Sequence, residues 1–293
     1  MFQAKDKGIP SMNSTTTVEV LVIDTNDNPP VFTKPVYTAS VPENAFGGFQ
    51  VIRVTALDAD EGNNAAVTYN IIDGADGKFI IEGSSGIVRP SSRLDYESMA
   101  DKFYILNISA TDNGHPQFTS YTVLNITVTD FNDNQPKFSQ NSYNLGVSED
   151  ATVDTYFDQI IATDEDAGEN AKITYSLKED EGIFFISPET GKLKILRELD
   201  RETKDSYRIT VIASDNGAHR LSSQVEVFIQ VFDVNDNSPE FTRDLYARKL
   251  VENVAVDTVV QVVQANDADV GKNGHVRYNI TSGNEAGNVS VKL

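Results

Sequence analysis

The stretch Leu124-Asn125-Ile126-Thr127-Val128-Thr129-Asp130-Phe131-Asn132-Asp133-Asn134 joins two kinds of sequence. Its first half alternates apolar and polar residues, the period of a strand with one buried face, so Leu124, Ile126 and Val128 point to a core. Its second half offers side-chain and main-chain oxygens in succession. With Pro136 two residues further on, it cannot continue the strand. The same order recurs twice. Val18, Val20 and Val22 run into Asp24-Thr25-Asn26-Asp27-Asn28, and Val225, Val227, Ile229 and Val231 run into Asp233-Val234-Asn235-Asp236-Asn237. These read as the last strands of three successive domains, each ending in a joint. The joints lie 106 and then 103 residues apart, too far for solenoid units and right for small domains.

Between the first two joints, alternation predicts strands near 36–41, 49–57, 66–72, 78–82, 86–89, 103–110 and 120–130. Turn clusters such as Asp73-Gly74-Ala75-Asp76-Gly77 and Asp112-Asn113-Gly114 separate them. No stretch of ten residues carries a convincing apolar period of 3.6, so helices are expected to be scarce. Pro30, Pro136 and Pro239 each stand two residues before Phe32, Phe138 or Phe241 and mark the start of the next domain. The expected fold is all-β, with seven-stranded sandwiches in tandem. The divisions are the last part of a repeat (1–28), two whole repeats (29–134 and 135–237) and the first half of another (238–293). Ala4-Lys5-Asp6-Lys7-Gly8 aligns with Ala110-Thr111-Asp112-Asn113-Gly114 at the 106-residue offset, so the reading begins inside a domain.

The chain carries 24 basic and 44 acidic residues, a net charge of −20 that argues against nucleic-acid phosphate as a partner. Half of the acidic residues fall in motifs that recur from repeat to repeat; the other half nearly balances the basic residues. The acid is therefore placed rather than spread. With no cysteine, disulfides, thiolate metal sites and cysteine catalysis are excluded, and the redox compartment is left open. Five Asn-x-Ser/Thr sequons stand at Asn13, Asn107, Asn125, Asn279 and Asn288, and Asn107 and Asn125 fall on the polar phase of their strands. The first residues, Met1-Phe2-Gln3-Ala4-Lys5-Asp6, have no apolar leader core, and no run approaches the ~18 apolar residues of a membrane span. The expectation is an internal piece of a longer protein.

Four further acidic motifs keep step with the joints. Glu43, Glu149 and Glu252 are spaced by 106 and 103, as are Asp58-Ala59-Asp60, Asp164-Glu165-Asp166 and Asp267-Ala268-Asp269. Leu94-Asp95-Tyr96-Glu97 answers Leu199-Asp200-Arg201-Glu202, and Asp112 answers Asp215. A single Asp-x-Asp or Asn-Asp-Asn is more often a turn than a ligand, because these side chains bond their own backbone. In concert the reading changes: clustered carboxylates repel unless a cation neutralises them, and an all-oxygen donor set suits calcium, with its six to eight oxygen ligands. Magnesium would need a tighter octahedron. No EF-hand is present, since Pro29 stands where that loop needs glycine after Asp24, and Pro35 where it needs glutamate.

These motifs together resemble the extracellular cadherin repeat over nearly the whole chain. The resemblance implies a Greek-key sandwich of immunoglobulin-like form. It also implies that each complete joint holds three calcium ions, shared between one repeat's glutamate, Leu-Asp-x-Glu and joint and the next repeat's Asp-x-Asp loop and Asp-Asn-Gly aspartate. At the middle joint it points to Glu43, Asp95, Glu97, Asp130, Asn132, Asp133, Asp164, Asp166 and Asp215, with carbonyls of Phe131, Asn134 and Asn170. The first joint offers Asp24, Asn26, Asp27, Asn28, Asp58, Asp60, Asn64 and Asp112, and lacks an upstream glutamate and Leu-Asp-x-Glu. The last offers Glu149, Asp200, Glu202, Asp233, Asn235, Asp236, Asp267 and Asp269, with Val234, Asn237 and Asn273, and lacks a third Asp-Asn-Gly aspartate. Glu252 would open a further set.

The resemblance implies calcium-dependent cell–cell adhesion by part of a long, membrane-anchored ectodomain, most like the Fat, Dachsous and protocadherin-type members. The implied partner is another cadherin ectodomain on an apposed cell, homophilic or heterophilic. No tryptophan is present for the strand exchange of the short cadherins. An enzyme would need an acid–base pair, but His115 corresponds to Ala218 and His275 to Lys172, so no histidine recurs with the acids. A calcium-braced carbohydrate-binding or microbial surface module is the other alternative; such platforms usually expose aromatic rings, and this chain has no tryptophan.

Overall fold

Alternating burial, the property that made the strands legible, also sets their pairing. The computed structural model describes residues 1–178 and 181–292, which fall into two units, Met1–Phe131 and Asn132 onward. The first unit contains β1 (Phe2–Lys5), β2 (Asn13–Thr16), β3 (Val31–Phe32), β4 (Val36–Pro42), β5 (Ile52–Arg53), β6 (Ala56–Leu57), β7 (Thr68–Asp73), β8 (Phe79–Ile81), β9 (Ile87–Pro90), β10 (Phe103–Thr111) and β11 (Thr119–Thr129). One sheet runs β4-β11-β10-β7, with β4 parallel to β11, and a second runs β5-β9-β8. The short β3 pairs with β6. Counting β3 with β4 and β5 with β6 as interrupted strands gives the seven of a sandwich, and no helix occurs among the described residues.

Leu106, Ile108, Leu124 and Ile126 are wholly buried and pack with Val41, Val54 and Val88 between the sheets. Each such side chain contributes about 1.5–3 kcal/mol by leaving water. The strand expected over 49–57 is interrupted at Val54, whose N–H is bonded to the carbonyl of Gly86. Gly86 has a positive φ of 69°, and a Cβ there would lie 2.2 Å from the Val54 oxygen, so only glycine permits this approach. The two-residue β3 is too short for alternation to reveal.

The expectation for Val18, Val20 and Val22 needs correction. No strand forms there, and all three are exposed. The sheet that would bury that apolar face is not supplied by this chain. Only the hairpin before it survives: β1 pairs Phe2 with Thr16 and Lys5 with Asn13. That is the register of Ile108 with Thr122 and Thr111 with Thr119 between β10 and β11, displaced by 106 residues.

The second unit repeats the plan with β12 (Lys137–Phe138), β13 (Ser142–Ser148), β14 (Tyr156–Gln159), β15 (Ala162–Thr163), β16 (Thr174–Lys178), β17 (Phe184–Ile186), β18 (Lys192–Ile195), β19 (Ser206–Ser214) and β20 (Ser222–Phe232). Its sheets run β13-β20-β19-β16 and β14-β18-β17, again with the outer pair β13 and β20 parallel. Val225, Val227, Ile229 and Val231 are buried as their alternation requires. After Pro239, among the described residues, only β21 (Glu240–Phe241) and β22 (Ala265–Asn266) form. Their pairing of Phe241 with Ala265 repeats Phe138 with Ala162 and Phe32 with Ala56.

A tyrosine clamp that sequence reasoning missed fixes this local structure three times. Tyr69, Tyr175 and Tyr278 each accept from the N–H of Ala56, Ala162 or Ala265 at 2.8 Å, immediately before an Asp-x-Asp loop. Phe32 meets Tyr37 and Tyr69 at 6.4 and 6.3 Å, and Phe241 meets Tyr246 and Tyr278 at 6.3 and 6.2 Å.

Candidate metal centres

At the first joint, wholly within the first unit, the Asn26 amide nitrogen donates to Asp112 Oδ1 (3.2 Å) and the Pro116 carbonyl. Its Oδ1 is thereby turned away from both, buried and without a hydrogen bond. Asp112 is completely buried, its two oxygens taking the N–H groups of Gly114 (3.0 Å) and Phe118 (2.9 Å). Asp60 accepts from the N–H groups of Asp27 and Asn28 and from the Asn28 amide at 2.6 Å. That amide bond holds the Asp60 carboxyl below its ordinary range, with burial opposing. Asp24 takes the N–H of Glu61 and the amide of Asn64 (2.8 Å). Asp58 Oδ1 caps the N–H of Asp60, leaving Oδ2 buried without a hydrogen bond.

The residues assigned to the middle joint fall in both units. In the first, Glu43 is buried and bridges two segments, its oxygens accepting from Tyr96 N–H and from Phe131 N–H (2.8 Å). This brings carboxylate oxygens of Glu43, Asp95 and Glu97 within 4.8 Å of one another. Asp130 lies half-buried after β11. In the second unit the first joint's pattern returns: Asn132 donates to Asp215 (3.1 Å) and the His219 carbonyl (2.7 Å), and Asn134 donates to Asp166 (2.8 Å). Asp133 is exposed, whereas Asp164 and Asn170 are half-buried.

The last joint lies within the second unit. Glu149 bridges the N–H groups of Arg201 (2.7 Å) and Val234 (2.6 Å). Asn237 donates to Asp236 and to Asp269, both at 2.8 Å, and Asp267 caps the N–H of Asp269 at 3.0 Å. Two carboxylate triads result, Glu149-Asp200-Glu202 and Glu202-Asp236-Asp269, each with oxygens within 4.8 Å and sharing Glu202. Burial first, then the charges of Glu149, Asp269 and Asp200, pushes the Asp236 carboxyl above its ordinary range. Burial also opposes ionisation of Asp233, but bonds from Asn273, the Val270 N–H and Arg201 together hold it low. Glu252 is exposed and joins no carboxylate cluster among the described residues. Asn235 is exposed where Asn26 is buried.

Arg201, the variable position of its motif, places a cation among these acids. Its guanidinium bonds Asp233 (2.5 Å), Glu202 and the carbonyl of Ala268 (2.8 Å). Tyr96 occupies the same position in the first unit. The glycines of the Asp-Asn-Gly turns are the other feature that sequence reasoning left unexplained. A Cβ on Gly114 would stand 2.4 Å from Asn26, and one on Gly217 would stand 2.4 Å from Asn132.

The donor set fits a hard divalent cation. Asn26 Oδ1, Asp58 Oδ2, Asn132 Oδ1 and Asp269 Oδ2 are buried oxygens without hydrogen bonds, and all belong to these motifs. A buried acceptor left so costs about 1–3 kcal/mol, which coordination would recover. No histidine or cysteine enters the triads, so oxygen-seeking calcium suits them better than zinc.

Residues 37–129 and 143–232 match the Cadherin domain family. Human Protocadherin Fat 4 is 41% identical over 276 residues, covering 94% of this chain and 5% of that protein. Drosophila melanogaster Protein dachsous is 36% identical over 289 residues, covering 93% and 8%. The chain thus spans a small part of the curated relatives it matches. Among solved structures, mouse Cadherin-23 EC22-24 aligns with a TM-score of 0.77 at 37% identity, covering 85% of this chain and 80% of that one. The Protocadherin GammaB4 extracellular domain aligns with a TM-score of 0.75 at 36% identity, covering 93% and 43%. With its doubled β-sandwich plan and oxygen-lined joints, the chain belongs to the cadherin family and consists of repeats of the Fat, Dachsous and protocadherin kind.

Proposed function

We propose that this chain is a length of a calcium-dependent adhesive ectodomain, in which calcium at the joints orders successive repeats. The observation that carries the reading is the pair of carboxylate triads sharing Glu202, beside the buried, unpartnered Asp269 Oδ2. The repeat over 135–237 supplies Glu149, Asp200 and Glu202, the joint supplies Asp236, and the following segment supplies Asp269. Like charges held so close repel, and bound calcium supplies the positive charge and oxygen coordination that offset this. Three ions per complete joint, and Glu252 as the first ligand of a further set, belong to the same proposal.

The ligands are preorganised by the chain itself. Glu149 ties the Leu-Asp-x-Glu loop to the joint through main-chain N–H groups. Asn237 carries the joint onto Asp269. The full protein is proposed to be anchored in the cell membrane with these repeats outside, meeting another cadherin ectodomain on an apposed cell. Similarity to adhesion cadherins supports a non-enzymatic role.

Calorimetry tests the reading. Calcium is expected to bind with dissociation constants on the order of 10⁻⁴–10⁻³ M, as in extracellular modules. No heat at millimolar calcium, or zinc binding in preference to calcium, would overturn it. Beads coated with the chain and its neighbouring repeats should aggregate with calcium and disperse on chelation; aggregation indifferent to chelation would refute calcium dependence.

A further inference from the structure

We propose that Asn107 and Asn125 carry N-linked glycans, and that these cover the outer face of the sheet β4-β11-β10-β7. The inference rests on the extracellular reading above and adds a modification and its purpose. Both asparagines are exposed on the outward phase of neighbouring strands. The register pairs Asn107 with Val123 and Ile105 with Asn125, so the two are diagonal neighbours about 7–8 Å apart on one face. Neither side-chain amide is engaged by another group among the described residues, so a sugar on either nitrogen displaces no hydrogen bond.

The second repeat provides an internal comparison. Around the two asparagines Val36, Phe103 and Ile105 are 46%, 49% and 50% exposed, with Val123 beside them, an apolar cluster bordered by Thr38, Asp73 and Thr127. At the matching registers of β13, β19 and β20 stand Ser142, Ser206, Arg208 and Glu226, and Arg208 and Glu226 form an ion pair. Asn107 and Asn125 are replaced there by Thr210 and Phe228, and both sequons vanish. The repeat without sequons sets charge and hydroxyl at these four registers, and its exposed Phe228 lies under the Arg208 guanidinium, 5.4 Å from the ring centre. The repeat with them exposes an apolar cluster at those registers that water alone covers poorly. Glycans on Asn107 and Asn125 supply the missing polar cover and close this face to protein partners.

The acceptor step is a glycosyl transfer from a polyprenyl-diphosphate-linked oligosaccharide. The asparagine Nδ2 bonds to C1 of the first sugar, the C1–oxygen bond breaks, the lipid diphosphate leaves with the electron pair, and one amide proton passes to solvent. Ser109, the hydroxyl residue of the first sequon, is 3% exposed once folded, so transfer at Asn107 precedes folding.

The test is secretion of the chain from animal cells, followed by mass spectrometry, calcium calorimetry, sedimentation and hydroxyl-radical labelling of Phe103. One glycan should be lost with Ser109→Ala, one with Thr127→Ala and both with the pair, each variant keeping its asparagine. The double variant should self-associate more than the parent and show Phe103 labelled more strongly at low concentration. Adding Ile105→Arg and Val123→Glu, the second repeat's residues, should return it to the parent's behaviour and so exclude misfolding as the cause. Secreted protein with bare Asn107 and Asn125 but normal calcium binding overturns the modification alone. Absent calcium binding overturns the functional reading beneath it. Full glycosylation with unchanged association and labelling in the double variant overturns the shielding role.

Discussion

Gly217→Ala adds one carbon against one identified neighbour. Gly217 is buried at a φ that any residue can adopt, so alanine meets no backbone strain. Its Cβ would lie 2.4 Å from Asn132 Nδ2, 2.9 Å from Asn132 Cγ and 2.7 Å from Asn170 Oδ1. Comfortable contact is about 3.5–4.0 Å, so the Asn132 amide must retreat by roughly an ångström. Retreat breaks its bonds to Asp215 (3.1 Å) and the His219 carbonyl (2.7 Å). Overpacking costs about 1–3 kcal/mol, while the alanine's smaller unfolded-state entropy returns about 0.4–1 kcal/mol. A net loss of about 1–2 kcal/mol is expected.

Native-state hydrogen exchange across Ser206–Ser214, in chelator, reads this loss locally without assuming that the whole chain unfolds in one step. The deciding measurement is a double-mutant cycle. In an Asn132→Ala background the amide is gone and most of the penalty of Gly217→Ala should vanish, giving a coupling of about 1–2 kcal/mol. Calcium titration should also weaken in Gly217→Ala, because Asn132 Oδ1 no longer sits where its amide bonds held it. Equal losses in both backgrounds would refute the argument and place the glycine's role in the turn itself.

Three further outcomes are expected. Because the Asp236 carboxyl is held above its ordinary range, its stabilising protonated form is present below its unfolded pKa and lost as pH rises through its folded one. In calcium-free protein, protection of residues 265–270 should therefore grow as pH falls from neutrality towards the ordinary aspartate range; Asp236→Asn should show that protection already at neutral pH, and a flat profile in the parent would contradict the shift. Arg201→Ala should speed protease cleavage between 233 and 240 in calcium-free protein, with the difference narrowing when calcium is added; equal rates without calcium would show that the guanidinium braces nothing. Leu106→Ala, at a wholly buried position, should cost the first unit about 2–5 kcal/mol in hydrogen-exchange stability, and a loss under about 1 kcal/mol would mean that the site collapses around the gap.

What could be read in the sequence follows from how far each feature depends on its own residues. Alternation in Gln224–Val231 depends only on which face is buried, so those strands and their phase were legible. Val18, Val20 and Val22 carry the same pattern but remain exposed, because a pattern states a need for burial and only a second sheet can meet it. The two-residue β3 and the break at Val54 were hidden, since one is too short for a period and the other is set by Gly86, over thirty residues away. Among the acids, spacing aligned the motifs, and the structure brings carboxylate oxygens of Glu149, Asp200 and Glu202 within 4.8 Å of one another. The tyrosine clamps were not legible, because tyrosine at a strand edge looks like ordinary core until its hydroxyl is seen to hold Ala56, Ala162 and Ala265.

The repeats also differ at a position that their shared motifs leave open. Arg201 sets a permanent cation against Asp233 and Glu202, whereas Tyr96 brings no charge to the corresponding position. A joint that carries its own guanidinium is less repulsive without calcium and has less to gain from it. Charge balance is thus set joint by joint through a residue that the motif leaves open, and on the proposed calcium reading that residue is expected to grade the response of its joint.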